Sequence, residues 1–224
     1  MEERLFINGD IPKSYFRLAI PNVLSMVVTL FYNLADTYFI AAVGNTDLVA
    51  GVSLCAPVFT IQMACGNIFA QGGCSLTSRL LGAAKKEEIR HVSSHCIYAG
   101  YLLGIVLGGV FVLAGPGMLL VLGADSDTVG FAGQYFYWIA AGSPFIVASY
   151  VYTNLFRAEG MSKEAMIGTS VGALVNVVLD PIFISGLDMG AQGAAIATVA
   201  GYVVSDCYCT VVLLRKSRIL SLNP

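Results

Sequence analysis

The chain has 224 residues, of which 57% are hydrophobic and 12% are charged, and its formal net charge is −2. Soluble domains usually carry about 25% charged residues, so this composition excludes a soluble enzyme and a disordered segment. The near-neutral charge also excludes a polyanion binder, and no nucleic-acid partner is expected. The class that remains is a protein with several helices in a lipid bilayer.

Charged and turn residues divide the chain into six apolar stretches. Each is long enough to cross a bilayer, which requires about 20 mostly apolar residues in a helix. The predicted spans are residues 15–43, 48–78, 92–122, 128–156, 164–185 and 191–214. The sequence therefore predicts an all-α membrane protein. Its parts are an N-terminal segment (1–14), a six-helix unit (15–214) and the start of a linker (215–224).

The basic residues indicate the orientation of these spans. All twelve fall on the same side as the N-terminus: Arg4, Lys13, Arg17, Arg79, Lys85, Lys86, Arg90, Arg157, Lys163, Arg215, Lys216 and Arg218. The opposite loops contain Asp47, Asp125, Asp127 and Asp188 and no basic residue. Because cytoplasmic loops are enriched in Lys and Arg, we predict that both termini are cytoplasmic.

Small and helix-breaking residues recur within the spans. Gly100, Gly104 and Gly108 repeat every four residues along the third span, so that face can approach another helix closely. Prolines interrupt helical hydrogen bonding, and we expect each of five to kink or break its helix. They are Pro21, Pro57, Pro116, Pro144 and Pro181.

Three aspartates lie within the predicted spans, and no Lys or Arg does. An intramembrane charge costs about 3 kcal/mol on insertion scales. An unpaired buried carboxylate must therefore take up a proton, bind a cation or face a wet cavity. Asp36 and Asp180 are functional candidates for this reason. Asp206 lies nine residues before Arg215, so we predict a structural role in which it snorkels to the surface or caps a helix.

Depth brings several oxygen-bearing side chains together. With a helical rise of about 1.5 Å per residue, Asp36, Asp180 and Thr198 all lie about 9–12 Å from the outer ends of their helices. Asn176 precedes Asp180 by one turn, and Asn33 precedes Asp36 by three residues. Oxygen ligands suit hard cations, and neighbouring carboxylates favour sharing a proton. The layer therefore predicts a site for H⁺ or Na⁺, with no other metal or cofactor.

Two further residues join this layer on weaker grounds. Pro181 lacks the amide hydrogen that would bond to the carbonyl of Val177, and free carbonyls beside interrupted helices recur in the ion sites of transporters. Tyr135 lies level with the acids. It either donates a hydrogen bond to them or packs as an ordinary core tyrosine.

Four stretches carry a family resemblance. IPNVLSMVVTLFYNLADTYFIAAVG resembles the opening helix of the multidrug and toxic compound extrusion (MATE) family. SRLLGAAKKEE is similar to the loop after its second helix, and NLFRAEGMSKEAM to the segment before its fifth. NVVLDPIFISGLDMGAQGAAIATVAG is the most specific and resembles members that have a cation site in the N-terminal lobe.

The resemblance implies a twelve-helix transporter made of two six-helix lobes, with this chain as the N-terminal lobe. Such a protein is not an enzyme. It exports organic cations or amphipathic drugs across the plasma membrane by alternating access, in exchange for H⁺ or Na⁺. The family's cation site falls on Asp36, Asn176, Asp180 and Thr198, and Tyr135 matches less securely. Asn154 occupies a polar family position close to the cytoplasmic Arg157, and we predict a structural role for it. The implied partners are the lipid bilayer, the drug and a second lobe.

Other readings remain. A flippase for a lipid-linked saccharide would place basic residues in its cavity, and none lies within a span here. An intramembrane enzyme using the two acids would need an established acidic motif, and GLDMG is a loop sequence that matches none. The chain is also compatible with an inactive or truncated half-transporter.

Overall fold

The computed structural model describes residues 11–217 and 219–222. The N-terminal ten residues of the predicted 1–14 segment, with Arg4, lie outside this part, as do Arg218 and the last two residues of the predicted linker. The described chain forms seven α-helices and one π-helical turn. These are α1 (Ile11–Ala42), α2 (Thr46–Ser53), α3 (Ala56–Gly82), α4 (Lys86–Val121), α5 (Val129–Glu159), α6 (Ser162–Asp180), the π-helical turn (Pro181–Gly186) and α7 (Gly190–Lys216).

Six helical stretches in the described part of the chain are long and apolar enough to cross a membrane. The second consists of α2 and α3 together, and the fifth consists of α6 and the π-helical turn. The prediction of an all-α, six-span membrane protein is therefore confirmed. The first helix begins at Ile11 and α4 begins at Lys86, both earlier than the predicted spans, because charged residues can continue a helix beyond the apolar layer.

The five prolines do not behave alike. The second span breaks at Leu54 and Cys55, and Pro57 lies in the first turn of α3. Backbone N–H groups in the first turn have no acceptor within the helix, so the helix loses no hydrogen bond at this proline. At Pro181 the α-helix gives way to the π-helical turn. The helices continue without a break through Pro21, Pro116 and Pro144, and a kink at these residues stays a prediction.

The central helix is α5, which packs against α3, α4 and α7. Its contact with α4 is a close backbone approach. A Cβ atom at Gly104 would lie 2.5 Å from Cα of Pro144, and one at Gly108 would lie 2.5 Å from the carbonyl oxygen of Ala140. The prediction that this glycine repeat lets another helix approach is confirmed.

The outer helix α1 is packed differently. It contacts mainly α6 and makes few contacts with the other helices. Large apolar side chains, including Leu30, Phe31, Leu34 and Tyr38, are exposed along its length. One face of α1 therefore holds the helix to α6, and the rest is left for lipid or for a partner.

Candidate functional site

The site begins where α6 and α7 touch backbone to backbone. A Cβ atom at Gly172 would lie 2.7 Å from the carbonyl oxygen of Gly201, and one at Gly201 would lie 2.7 Å from that of Gly172. Residues three or four positions apart share a helical face. Asn176, one turn after Gly172, therefore faces Thr198, which lies three residues before Gly201.

The side-chain amide of Asn176 joins the two helices. Its Nδ2 donates to Oγ1 of Thr198 at 3.2 Å and to Oδ1 of Asp180 at 3.3 Å. All three side chains are buried, with 2% exposure or less. The amide thereby orients the carboxylate of Asp180 and uses both of its donors within the site.

Asp36 comes to this cluster from α1. Its carboxylate lies close enough to Asp180 for direct electrostatic interaction. Tyr135 of α5 is 4% exposed; its hydroxyl interacts with Thr198, and its ring lies near Asp36. The structure thus gathers Asp36, Asn176, Asp180, Thr198 and Tyr135 into one place.

Two other residues that were predicted for the site are not shown to join this cluster. Asn33 is exposed on α1, whereas Asp36 is half-buried. Val177 is half-buried, and the use of its carbonyl by an ion stays a prediction. Outside the site, Asn154 donates its side-chain amide to the carbonyl of Tyr150 on its own helix, as a structural residue would.

The site also includes two tyrosines that were not predicted from the sequence. The hydroxyl of Tyr32 interacts with Thr198, and its ring lies near both Asp36 and Asp180. Tyr202 borders the same space one turn after Thr198. Their spacing was the available signal, since Tyr32 precedes Asp36 by four residues and Tyr202 follows Thr198 by four.

Three buried oxygen atoms in this cluster have no hydrogen-bond partner in the described part of the chain. They are Oδ1 of Asp36, Oδ1 of Asn176 and Oδ2 of Asp180. A buried acceptor left unpaired costs about 1–3 kcal/mol, and more when it is charged. Since all three are lone-pair donors, their chemistry fits a proton or a small hard cation such as Na⁺.

An open cleft of about 440 Å³ leads into the cluster from between α1, α5, α6 and α7. It is lined by Thr29, Tyr32, Ser149, Thr169, Gly172, Ala173, Asn176, Thr198, Gly201, Tyr202 and Ser205. Most of these side chains carry hydroxyl or amide groups and none is basic. The cleft therefore provides a polar route to the buried oxygens.

The position of the remaining intramembrane acid, Asp206, differs from the prediction. It was expected to snorkel to the surface or cap a helix, but it is 2% exposed within α7. The hydroxyl of Tyr101 on α4 donates to its Oδ2 at 3.3 Å. A neighbouring helix therefore supplies a polar partner inside the bundle, and the side chain does not need to reach the surface.

Comparison with known proteins places this arrangement in a family. The MatE family profile matches residues 21–182. The multidrug export protein MepA of Staphylococcus saprophyticus is 30% identical over 218 residues, which are 97% of this chain and 48% of that protein. MepA of Staphylococcus haemolyticus is 29% identical over 224 residues, 99% of this chain and 50% of that protein. The chain thus spans about half the length of the curated relatives it matches.

Solved structures show the same half-coverage. A MATE structure in complex with MaD3S has a TM-score of 0.92 and 30% identity, and the match covers 100% of this chain and 50% of that one. A MOP superfamily transporter from Pyrococcus furiosus has a TM-score of 0.90 and 31% identity, with coverage of 100% and 49%. The six-helix unit described above is therefore one lobe of a larger fold.

Proposed function

Because this chain belongs to the MatE family and forms the N-terminal lobe of a multi-pass membrane transporter, we propose that it couples drug export to the entry of a cation. The substrates would be organic cations or amphipathic drugs, carried outward across the plasma membrane by alternating access. The coupling ion would be H⁺ or Na⁺, and the basic side of the lobe would face the cytoplasm. The export activity is proposed by similarity to the MepA relatives, which are multidrug export proteins.

One observation carries the ion coupling. Two intramembrane acids from different helices, Asp36 and Asp180, share a buried cluster with three unpartnered acceptor oxygens. Ionised together, the acids would repel each other, and one oxygen of each, Oδ1 of Asp36 and Oδ2 of Asp180, has no hydrogen-bond donor in the described part of the chain. Binding one positive charge between them removes both penalties, so occupancy and conformation are coupled.

The packing of α1 suggests how occupancy would be transmitted. Asn176, Asp180 and Thr198 lie on the tightly packed pair α6 and α7, whereas Asp36 lies on a helix that contacts mainly α6. A bound cation would draw α1 toward the pair, and its loss would free α1 to move. In the proposed cycle this movement closes the drug-binding space and expels the drug.

The transporter would also need a second six-helix lobe. The exposed apolar side chains of α1 and the half-length match to relatives support such a partner. A flippase for lipid-linked saccharides is less well supported, because no basic residue lines the cleft where a phosphate would bind.

The test uses the transporter that contains this lobe together with its second lobe, expressed in cells lacking their own drug exporters. Efflux is measured with a proton gradient and a Na⁺ gradient imposed separately. We expect Asp36→Asn and Asp180→Asn each to reduce gradient-driven efflux to the level of empty cells, because each variant removes one of the two carboxylates that share the cation. Asp188→Asn, in an exposed loop, is the matched control and should keep full efflux.

The same experiment separates the alternatives. Gradient-driven efflux retained in either Asp variant, at normal membrane abundance, contradicts the proposal. Expression of the 224-residue chain without a second lobe provides the remaining comparison. Efflux from the paired lobes and none from the single lobe would support the need for both.

A further inference from the structure

Asp206 is a buried acid outside the proposed cation site. Thr198 precedes it by eight residues on α7, so the two lie about 12 Å apart along the helix axis. Asp206 is displaced from Thr198 toward the basic end of α7, which carries Arg215 and Lys216. It is therefore a separate acidic centre, at a different depth in the bundle.

In the part of the chain that the structure describes, the side chains around Asp206 contribute hydroxyl groups and no cation. Tyr101 donates to Oδ2 from α4, and the hydroxyl of Ser149 interacts with the carboxyl group from α5. The other titratable groups that face it are Tyr152 on α5 and Tyr202 and Cys209 on α7. In the described residues, α6 presents Gly168, Thr169 and Gly172 to this part of α7. The acid of α6, Glu164, lies nearer the basic end of α7, where it pairs with Lys216 at 3.5 Å.

The second carboxyl oxygen, Oδ1, is buried and has no hydrogen-bond partner among the described residues. An isolated carboxylate in an apolar interior is far more costly than a neutral carboxyl group. A metal ion is a poor fit, because no group of three metal-ligating acids, cysteines or histidines exists among the described residues. The nearby hydroxyls also donate toward the carboxyl group, so their hydrogens would point at a metal.

We propose that Asp206 is a second proton-binding carboxyl of the lobe, protonated on Oδ1 at neutral pH and separate from the Asp36–Asp180 site. Oδ2 is then the carbonyl oxygen that accepts from Tyr101. The proton on Oδ1 replaces the buried charge by a neutral group and requires no cation from the protein.

The cleft gives this proton a way in and out. Ser149 lines the cleft and interacts with Asp206, and Ser205 lines it from the adjacent position on α7. Asn176 and Thr198 line the other end of the same cleft. Water that enters the cleft would reach the hydroxyl of Ser149, which interacts with Asp206, so we expect the bound proton to be exchangeable.

Infrared difference spectroscopy on the full protein in lipid nanodiscs tests the proposal at neutral pH. Subtracting the spectrum of Asp206→Asn from that of the parent isolates this side chain. We expect the difference to contain the carbonyl stretch of one protonated carboxylic acid, which shifts when H₂O is replaced by D₂O. The band should persist in a background carrying Asp36→Asn and Asp180→Asn, so the result does not depend on the proposed transport function. Asp188→Asn, in an exposed loop, should remove a carboxylate band instead.

Tyr101→Phe provides a second variant in case Asp206→Asn does not fold. It removes the hydroxyl that bonds to Oδ2, so the Asp206 carbonyl band should move to higher frequency without loss of intensity. A carboxylate band in place of the acid band overturns the proposal, as does an unmoved band in Tyr101→Phe. A band that does not shift in D₂O overturns the exchange through the cleft.

Discussion

A substitution at the contact between Gly172 and Gly201 tests how the proposed cation site is positioned. In Gly201→Ala the new Cβ atom would lie 2.7 Å from the carbonyl oxygen of Gly172, whereas ordinary contacts start at 3.4 Å. Backbone cannot rotate away as a side chain can, so α6 and α7 must separate. The bond from Asn176 to Thr198, at 3.2 Å, is already at the long end of the usual range and would be lost.

The magnitude follows from three contributions. Overpacking in a tight interface costs about 1–3 kcal/mol, and the lost hydrogen bond costs about 0.5–1.5 kcal/mol. Replacing Gly by Ala in a helix returns roughly 0.5–1 kcal/mol. We therefore expect Gly201→Ala to lower the free energy of unfolding by about 0.5–4 kcal/mol and to weaken cation binding, because Asn176 no longer orients Asp180.

Equilibrium unfolding in lipid–detergent mixtures measures the first effect, and cation-dependent stabilisation measures the second. The control is Gly109→Ala on α4, where a Cβ atom meets no atom within 4 Å. It should be as stable as the parent or up to about 1 kcal/mol more stable. If Gly201→Ala matched this control in both measurements, the backbone contact would not be what assembles the site.

The remaining predictions concern the α4–α5 contact and the turn before α5. Gly104→Ala places a Cβ atom 2.5 Å from Cα of Pro144. The overpacking costs about 1–3 kcal/mol and Ala in a helix returns roughly 0.5–1 kcal/mol, so the free energy of unfolding should fall by up to about 2.5 kcal/mol. Cation binding by the folded protein should stay unchanged, and a change would contradict the separation of the two contacts. The loop residue Asp125 accepts hydrogen bonds from the hydroxyl and backbone N–H of Thr128, which hold its pKa below the usual value. Its contribution to stability is present above the unfolded-state pKa of about 3.9 and is lost as the pH falls through the lower folded-state pKa. Acid titration of unfolding should show a shallower decline for Asp125→Asn than for the parent, and identical slopes would refute this role.

The layer of oxygen donors was predictable because helical rise is nearly constant. Counting residues from the turns placed Asp36, Asp180 and Thr198 at one depth, and the one-turn spacing of Asn176 from Asp180 placed both on one face. The glycine repeat of α4 was predictable for the same reason. These inferences use only distances along a helix, which the sequence states directly.

Rotation about the helix axis was harder to predict. Residues four apart differ by about 40° around an α-helix, and residues three apart differ by about 60° in the opposite sense. Either Tyr32 or Asn33 was therefore a plausible companion of Asp36, and the packing of α1 on α6 selects Tyr32. Asp206 was misjudged on similar grounds, because its distance from Arg215 says nothing about the hydroxyl of Tyr101 on another helix.

The prolines show why sequence alone could not place the helix breaks. A missing amide hydrogen ends a helix only when the neighbouring structure offers nothing better, and in a bundle other helices can satisfy the freed carbonyl. Pro144 therefore stays inside α5, whereas Pro181 changes the helix type directly after Asp180. Turns of π-helix are rare and often occur at functional sites.

The position of that turn bears on the proposed coupling. Gly193 on α7 has no room for a side chain, because a Cβ atom there would lie 2.8 Å from the carbonyl carbon of Phe183 in the π-helical turn. Asp180 is thus held between two backbone contacts of α6 and its continuation with α7, one at Gly172 and one at Phe183. Asp36 has no such restraint, since α1 contacts mainly α6. A cation shared by the two acids would therefore move α1 relative to a fixed Asp180.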